Sequence, residues 1–340
     1  MPKAVILGGT GQIGLAAASH LVQAGWNITV VSRNPKPLPS GYCSIAADAR
    51  DVEALLATID CDTDLLLSCV AFEPTDAQCL AQAGRGVGRI VAISSASVYC
   101  DAEGRTLDEA PACGFPHFSL PLSERSPTVA PGPATYSTRK VAMEDTLLSQ
   151  ATCPVTILRP CAIHGPESKH AREWWFVKRL LDGRSKIPLA FGGLSRFQTT
   201  SVAAIVDAVV RAMAGDLPAI VNVSDADCPT VAQIGQAIME VIGVHAELIG
   251  LPSTPCYPPT LGASPWSIPR PLILSSAGGM RTTYAQSVGP AVKWLVEHVR
   301  NDNWHVRLPQ LSAYPTPQFD YEADERACRL SGAVPLAIYK

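Results

Sequence analysis

A chain of 340 residues is long enough for one large domain plus a smaller one with ample core. Its net charge of −3, with scattered basic residues and histidines, argues against a nucleic-acid surface, and apolar runs such as Leu65-Leu66-Leu67 fall far short of the ~20 residues of a membrane span. Eleven cysteines, dispersed and without Cys-x-x-Cys or Cys/His ligand spacing, point to a reducing cytoplasm and no structural metal.

The chain opens on an apolar β-type run, Ala4–Leu7, followed by Gly8-Gly9-Thr10-Gly11-Gln12-Ile13-Gly14 and a helical pattern over Leu15–Gln23. Strand, glycine turn and helix in that order are the context of a dinucleotide-binding turn. Gly8 permits the tight turn, Gly11 lets backbone approach a pyrophosphate, and Gly14 allows close helix–strand packing. The helix N-terminus favours the anion through its free N–H groups and dipole.

Further strands are expected at Ile28–Val31, Cys43–Ala46, Leu65–Val70, Ile90–Ile93, Val155–Leu158 and Ile220–Val223. Helical patterns cover Asp51–Thr58, Thr75–Ala83, Thr135–Ser149, Trp174–Leu181, Val202–Met213, Val231–Ile242 and Ser287–Val299. The alternation predicts a Rossmann-type, doubly wound parallel α/β sheet over 1–160, with parts of 190–225 added. A smaller substrate-binding α/β part is expected over 161–300, and an arm over 301–340 that packs across the domain surface or a neighbouring subunit. Pro-rich, poorly periodic loops at 101–134 and 250–279 are placed to border a binding site. Trp174 and Trp175 are expected in the core rather than in a substrate pocket.

Tyr136 and Lys140 stand four residues apart, on one helix face. A phenol with a pKa near ~10 is a poor base alone, and a neighbouring ammonium favours the phenolate. The pair suits proton transfer in alcohol/ketone chemistry; the bland alternative is a helix-surface pair.

With these residues in place the chain resembles the extended short-chain dehydrogenase/reductase superfamily, in its NAD-dependent epimerase/dehydratase group, over about residues 3–300. The resemblance rests on Gly8–Gly14, on the strand end Ser94-Ser95-Ala96-Ser97-Val98-Tyr99, and on Tyr136, Lys140 and Glu144. It continues in Leu158-Arg159-Pro160 through His164-Gly165-Pro166, in Gly192–Phe197 with Arg196, and in Asn222-Val223 before a Thr230-capped helix.

The resemblance implies that Ser95 hydrogen-bonds the substrate oxygen and that Tyr136 is the acid/base. Lys140 would lower the Tyr136 pKa and hold the nicotinamide ribose. The cofactor set is then Gly8, Thr10, Gly11, Gln12, Ile13, Gly14, Ser32, Arg33, Asp48, Val70 and Ala71 with Tyr136 and Lys140. Ser97, His164 and Arg196 are candidate substrate contacts, with packing the alternative for His164. NAD-binding members carry an acid at the end of the second strand, where this chain has Ser32 and Arg33. An Arg binds a 2′-phosphate, so NADP is expected, with NAD as the alternative; Arg33 stacking on adenine or facing solvent is the bland reading. Asp48 stands near the adenine position or caps the following helix.

Some positions depart from the group's pattern. Ala96 and Ser97 replace the Asp-Glu of its dehydratases, which argues against water elimination. The segment Glu73–Arg89 is short, which puts the usual helix-mediated dimer in doubt and leaves a homodimer as an open alternative. Three readings follow: an NADP-preferring oxidoreductase acting on a sugar-like or other secondary alcohol or ketone, a nucleotide-sugar 4-epimerase that retains NAD, and a non-catalytic NAD(P)-sensing regulator.

Overall fold

A computed structural model describes residues 1–35, 41–252, 260–275, 281–300 and 303–337. The chain starts with β1 (Lys3–Leu7), α1 (Gln12–Gln23), β2 (Asn27–Ser32), β3 (Tyr42–Ala46), α2 (Val52–Thr58), β4 (Leu65–Ser68), α3 (Pro74–Ala83) and β5 (Arg89–Ile93). A four-residue helix, α4 (Ala110–Cys113), lies in the Pro-rich stretch, ahead of α5 (Tyr136–Gln150) and β6 (Val155–Pro160). Next come β7 (Ala162–His164), α6 (Trp174–Leu181), β8 (Lys186–Leu189), β9 (Thr199–Ser201), α7 (Val202–Met213), β10 (Ile220–Val223), α8 (Val231–Ile242) and β11 (Glu247–Gly250). The last elements are α9 (Tyr284–Ser287), α10 (Gly289–His298), α11 (Trp304–Arg307), α12 (Pro309–Ser312), α13 (Tyr321–Ala327) and β12 (Val334–Pro335).

Two compact units result. The first comprises Met1–Cys161 and Val202–Ser224 with Leu274 and Ser275; the second holds Ala162–Ser201, Asp225–Ile273 and the described residues from Arg281 onward. In the first unit a seven-stranded sheet runs β10-β6-β5-β4-β1-β2-β3, and every pairing in it is parallel. Its central strands read as unbroken apolar runs because helices cover both faces. All four residues of β4 are buried, whereas β3, at the sheet edge, is mostly exposed. The chain leaves β1 toward β2 on one side and returns to β4 on the other. The crevice at the carboxyl ends of β1 and β4 is therefore the topological switch point, where open α/β sheets bind ligands.

The second unit holds a three-stranded sheet, β12-β11-β8, and the pair β7-β9. These strands were not expected from the sequence: they span two to four residues each, too short for a two-residue alternation to register. Its core gathers Trp174, Trp175, Phe176, Ile234, Ile238 and Trp266. The two adjacent tryptophans are both buried, as expected. Thr230 caps α8 through a reciprocal box with Gln233, and Gly243 ends it at φ 74°. The stretch from Trp304, expected as an arm, supplies fully buried Leu308 and Leu311 to this core. The 250–279 loop lies in part outside the described residues.

Candidate active site

The crevice begins with the glycine turn. Gly8 has φ +77°, a conformation that L side chains rarely adopt, and its N–H donates to the Val31 carbonyl at 2.9 Å. Gly11 is exposed and stands at the N-cap of α1, with no side chain between the first helical turn and the crevice. A Cβ on Gly14 would lie 2.5 Å from the Gly9 Cα, so helix and turn are in direct backbone contact there. Thr10, Gln12 and Ile13 are half-buried around the same turn. An open backbone turn ahead of a 12-residue helix fits a pyrophosphate.

At the end of β2, Ser32 is buried and its Oγ has no hydrogen-bond partner among the described residues, while Arg33 is exposed. Asp48 does not cap α2. Its Oδ1 accepts from the Arg50 N–H at 2.9 Å, and Asp51 is the cap, accepting from Ala54 N–H at 3.0 Å. Both carboxylates offer local turn bonds, and the one directly ahead of the first helical residue takes the capping position. Val70 is half-buried and Ala71 buried, on the stretch that leaves β4.

Ser95 follows β5 in extended backbone (φ −159°), and its Oγ accepts from the Ser97 N–H at 3.1 Å, capping a single 3-10 turn. Tyr136 is the first residue of α5, whose start is fixed by a capping box between Thr135 and Thr138. Ser95 is near enough to the Tyr136 hydroxyl to favour its ionised form. Lys140, one turn further on, is 2% exposed. Its ammonium donates to the carbonyls of Ala71 at 2.6 Å and Ile93 at 2.9 Å, and lies 4.2 Å from the centre of the Phe72 ring. Burial pulls the Lys140 ammonium down to about 8, against the opposing pull of Glu144.

One expectation is corrected here. Lys140 does not hold the Tyr136 phenol below its ordinary value. Burial raises it, nearby Ser95 works against the rise, and the Asp108 charge adds to it. The ammonium is committed to two carbonyls, with Nζ 5.8 Å from the Tyr136 ring centre. Tyr136 therefore carries its proton at neutral pH.

A buried polar network supports these groups. Glu144, one turn past Lys140, forms a two-point pair with Arg159 of β6, with Nε–Oε1 at 3.0 Å, and also accepts from the Ser94 hydroxyl. Arg159 Nη1 donates to the Tyr99 hydroxyl at 3.2 Å, which donates to Asn222 Oδ1 at 2.7 Å. Asn222 Nδ2 in turn donates to the carbonyls of Leu122 at 3.1 Å and Ser275 at 2.8 Å. Strand β5, helix α5 and strands β6 and β10 are thus locked together directly below Ser95 and Tyr136. Glu144, Arg159, Tyr99 and Asn222 stand in the sequence as motif positions; their mutual pairing spans up to 123 positions and leaves no local signal.

Two residues near the site were missed altogether. Phe72 is an exposed aromatic tilted against Tyr136, with ring centres 6.2 Å apart. Asp108, in the Pro-rich loop, lies near enough for its charge to raise the Tyr136 phenol. Nothing in their sequence surroundings marks either one.

Of the candidate substrate residues, Ser97 stays at this site, its Oγ buried without a partner among the described residues. His164 and Arg196 belong to the second unit. His164 is 1% exposed, bonded through Nε2 to Asp225 at 2.8 Å and edge-on to Tyr284, which is the packing alternative. Arg196 is exposed, and its guanidinium donates to the Cys228 carbonyl. Among the described residues no cluster of metal-ligating side chains occurs, the cysteines are free thiols, and no helix is long and apolar enough to cross a membrane.

A family model described as "NAD dependent epimerase/dehydratase family" matches residues 4–224. No curated protein matches the chain. Among solved structures, UDP-N-acetylglucosamine 4-epimerase from Bacillus cereus is similar with a TM-score of 0.66 at 15% identity, covering 89% of this chain and 99% of its own. The Bordetella bronchiseptica enzyme WbmG, in complex with NAD and UDP, gives 0.65 at 18% identity, covering 87% and 94%. The dTDP-glucose 4,6-dehydratase of Bacillus anthracis, in complex with NAD, gives 0.64 at 15% identity over 89% and 98%.

Proposed function

Since this chain belongs to the NAD-dependent epimerase/dehydratase family, we propose that it is an NAD(P)-dependent oxidoreductase acting at a secondary alcohol or ketone carbon of a sugar-like or other small substrate, with Tyr136 as acid/base. One observation carries the reading: Tyr136 opens α5 with Lys140 one helical turn behind, and the buried Lys140 ammonium donates to the Ala71 carbonyl just beyond β4 and to the Ile93 carbonyl at the end of β5. A bound nicotinamide would supply or accept the hydride. Gly8, Thr10, Gly11, Gln12, Ile13 and Gly14 would hold its pyrophosphate, Val70 and Ala71 would border it, and Lys140 would hold its ribose.

The side chains divide the proton chemistry. Ser95 donates a hydrogen bond to the substrate oxygen and positions it against Tyr136. Tyr136, protonated at neutral pH, gives its proton to that oxygen as a carbonyl becomes an alcohol, and takes it back in the reverse direction. Ala96 and Ser97 offer no acid/base pair beside the reacting carbon, so water elimination lacks its proton carriers.

Exposed Arg33, next to the unpartnered Ser32 hydroxyl and with no acid at the end of β2, supports NADP. WbmG and the Bacillus anthracis dehydratase are seen with NAD, and the Bacillus cereus protein is an epimerase. These likenesses favour a second reading, a 4-epimerase that keeps its NAD between half-reactions. The test is to denature the purified protein, identify any released nucleotide, and titrate the emptied protein with NADPH and NADH. Stoichiometric NAD supports the epimerase; an empty protein preferring NADPH supports the reductase; binding of neither rejects both.

A further inference from the structure

We propose that Phe72 gates access to Lys140: its ring lies where a ribose diol would have to approach the ammonium, and must turn away before that diol can bind. The inference rests on the cofactor role given to Lys140 above. An ammonium has three N–H groups. Those of Lys140 face the Ala71 carbonyl at 2.6 Å, the Ile93 carbonyl at 2.9 Å and the Phe72 ring, whose centre is 4.2 Å from Nζ. The Ile93 carbonyl is in β5 and the Ala71 carbonyl lies on the backbone just beyond β4, whereas the ring is a side chain on the rim.

Phe72 is built to move alone. Its backbone N–H donates to Asp76 Oδ2 at 2.7 Å, within the cap of α3, so the loop stays anchored while χ1 and χ2 turn. The ring is 42% exposed, and its one aromatic neighbour among the described residues is the tilted Tyr136. A ring that covered Lys140 only for packing would be sunk into the core, as Tyr99 is at 0% exposure. The attraction between ring face and ammonium favours the closed position. A diol whose oxygens accept from the same ammonium replaces that attraction, which gives the ring a reason to leave.

Rapid mixing of NADH and of NADPH with the wild type, Phe72→Ala and Phe72→Leu, followed by nucleotide fluorescence, tests the gate. In parallel, acetic anhydride labelling of Lys140 in the nucleotide-free proteins is read by mass spectrometry. With the ring gone, association should quicken by about fivefold or more with dissociation little changed, and Lys140 labelling should rise by a similar factor. Phe72→Leu, which keeps apolar volume without the ring face, should fall between. Unchanged rates and labelling in both variants, with nucleotide binding intact, overturn the gate alone. Failure of the wild type to bind either nucleotide overturns the cofactor reading and the gate with it.

Discussion

Lys140 donates from its ammonium to the Ala71 carbonyl at 2.6 Å, which ties the helix that carries Tyr136 to the strand end at the switch point. The ammonium is nearly out of water, and its depressed proton affinity makes it a cost to folding while charged. Below about 8 both folded and unfolded chains hold the proton and the cost is constant. Between about 8 and 10.5 the unfolded chain holds more protons, so unfolding free energy rises with pH, by roughly 3 kcal/mol in total. Urea unfolding of wild type and Lys140→Met at several pH values isolates this contribution. The wild type should gain on the variant as pH rises through that window; a flat difference would mean that Lys140 is not desolvated.

Tyr136→Phe removes the proton and leaves the ring that packs on Phe72. Turnover should drop by about 10²–10⁴, the usual worth of a positioned acid/base, while nucleotide affinity changes by less than about threefold. Steady-state rates and a binding titration on the same preparation decide it. Near-normal turnover would remove Tyr136 from the chemistry.

How far the sequence was legible depends on the range of the physics involved. The buried strands of the first unit announce themselves as continuous apolar runs, and the Gly8–Gly14 turn and the Tyr136/Lys140 spacing are local patterns that a helix or turn converts directly into proximity. The second unit's strands, from Ala162–His164 to Val334–Pro335, are too short to carry a period. The direction of the Tyr136 shift was out of reach as well. It comes first from the burial of the phenol by the folded chain, with the Asp108 charge adding from a loop without periodicity.

Arg33 is exposed at the end of β2 and has no ion-pair partner among the described residues, so a 2′-phosphate would meet a ready cation. Arg33→Ala should weaken NADPH by about tenfold or more, the usual scale of a charge-assisted contact, and NADH by less than about twofold. Titration with both nucleotides reads the difference. Equal losses would place Arg33 on the shared adenosine part, and an unchanged NADPH affinity would leave it in solvent.

Glu144 and Arg159 are 2% and 4% exposed, and neither charge has water to fall back on. Glu144→Gln keeps the shape and one amide oxygen but removes the carboxylate, leaving the Arg159 charge uncompensated in a low-dielectric interior, with the Tyr99 hydroxyl as a neutral acceptor at 3.2 Å. The loss in unfolding free energy should be about 3–5 kcal/mol, and replacing both residues with Met should recover much of it, since an apolar pair carries no uncompensated charge. Denaturant unfolding of the single and double variants tests this. Because the pair also positions Ser94 beneath Ser95, the double variant should regain stability without regaining turnover. Full turnover in the double variant would show that the network holds the fold and not the site; a single variant within about 1 kcal/mol of wild type would show that the pair is not desolvated at all.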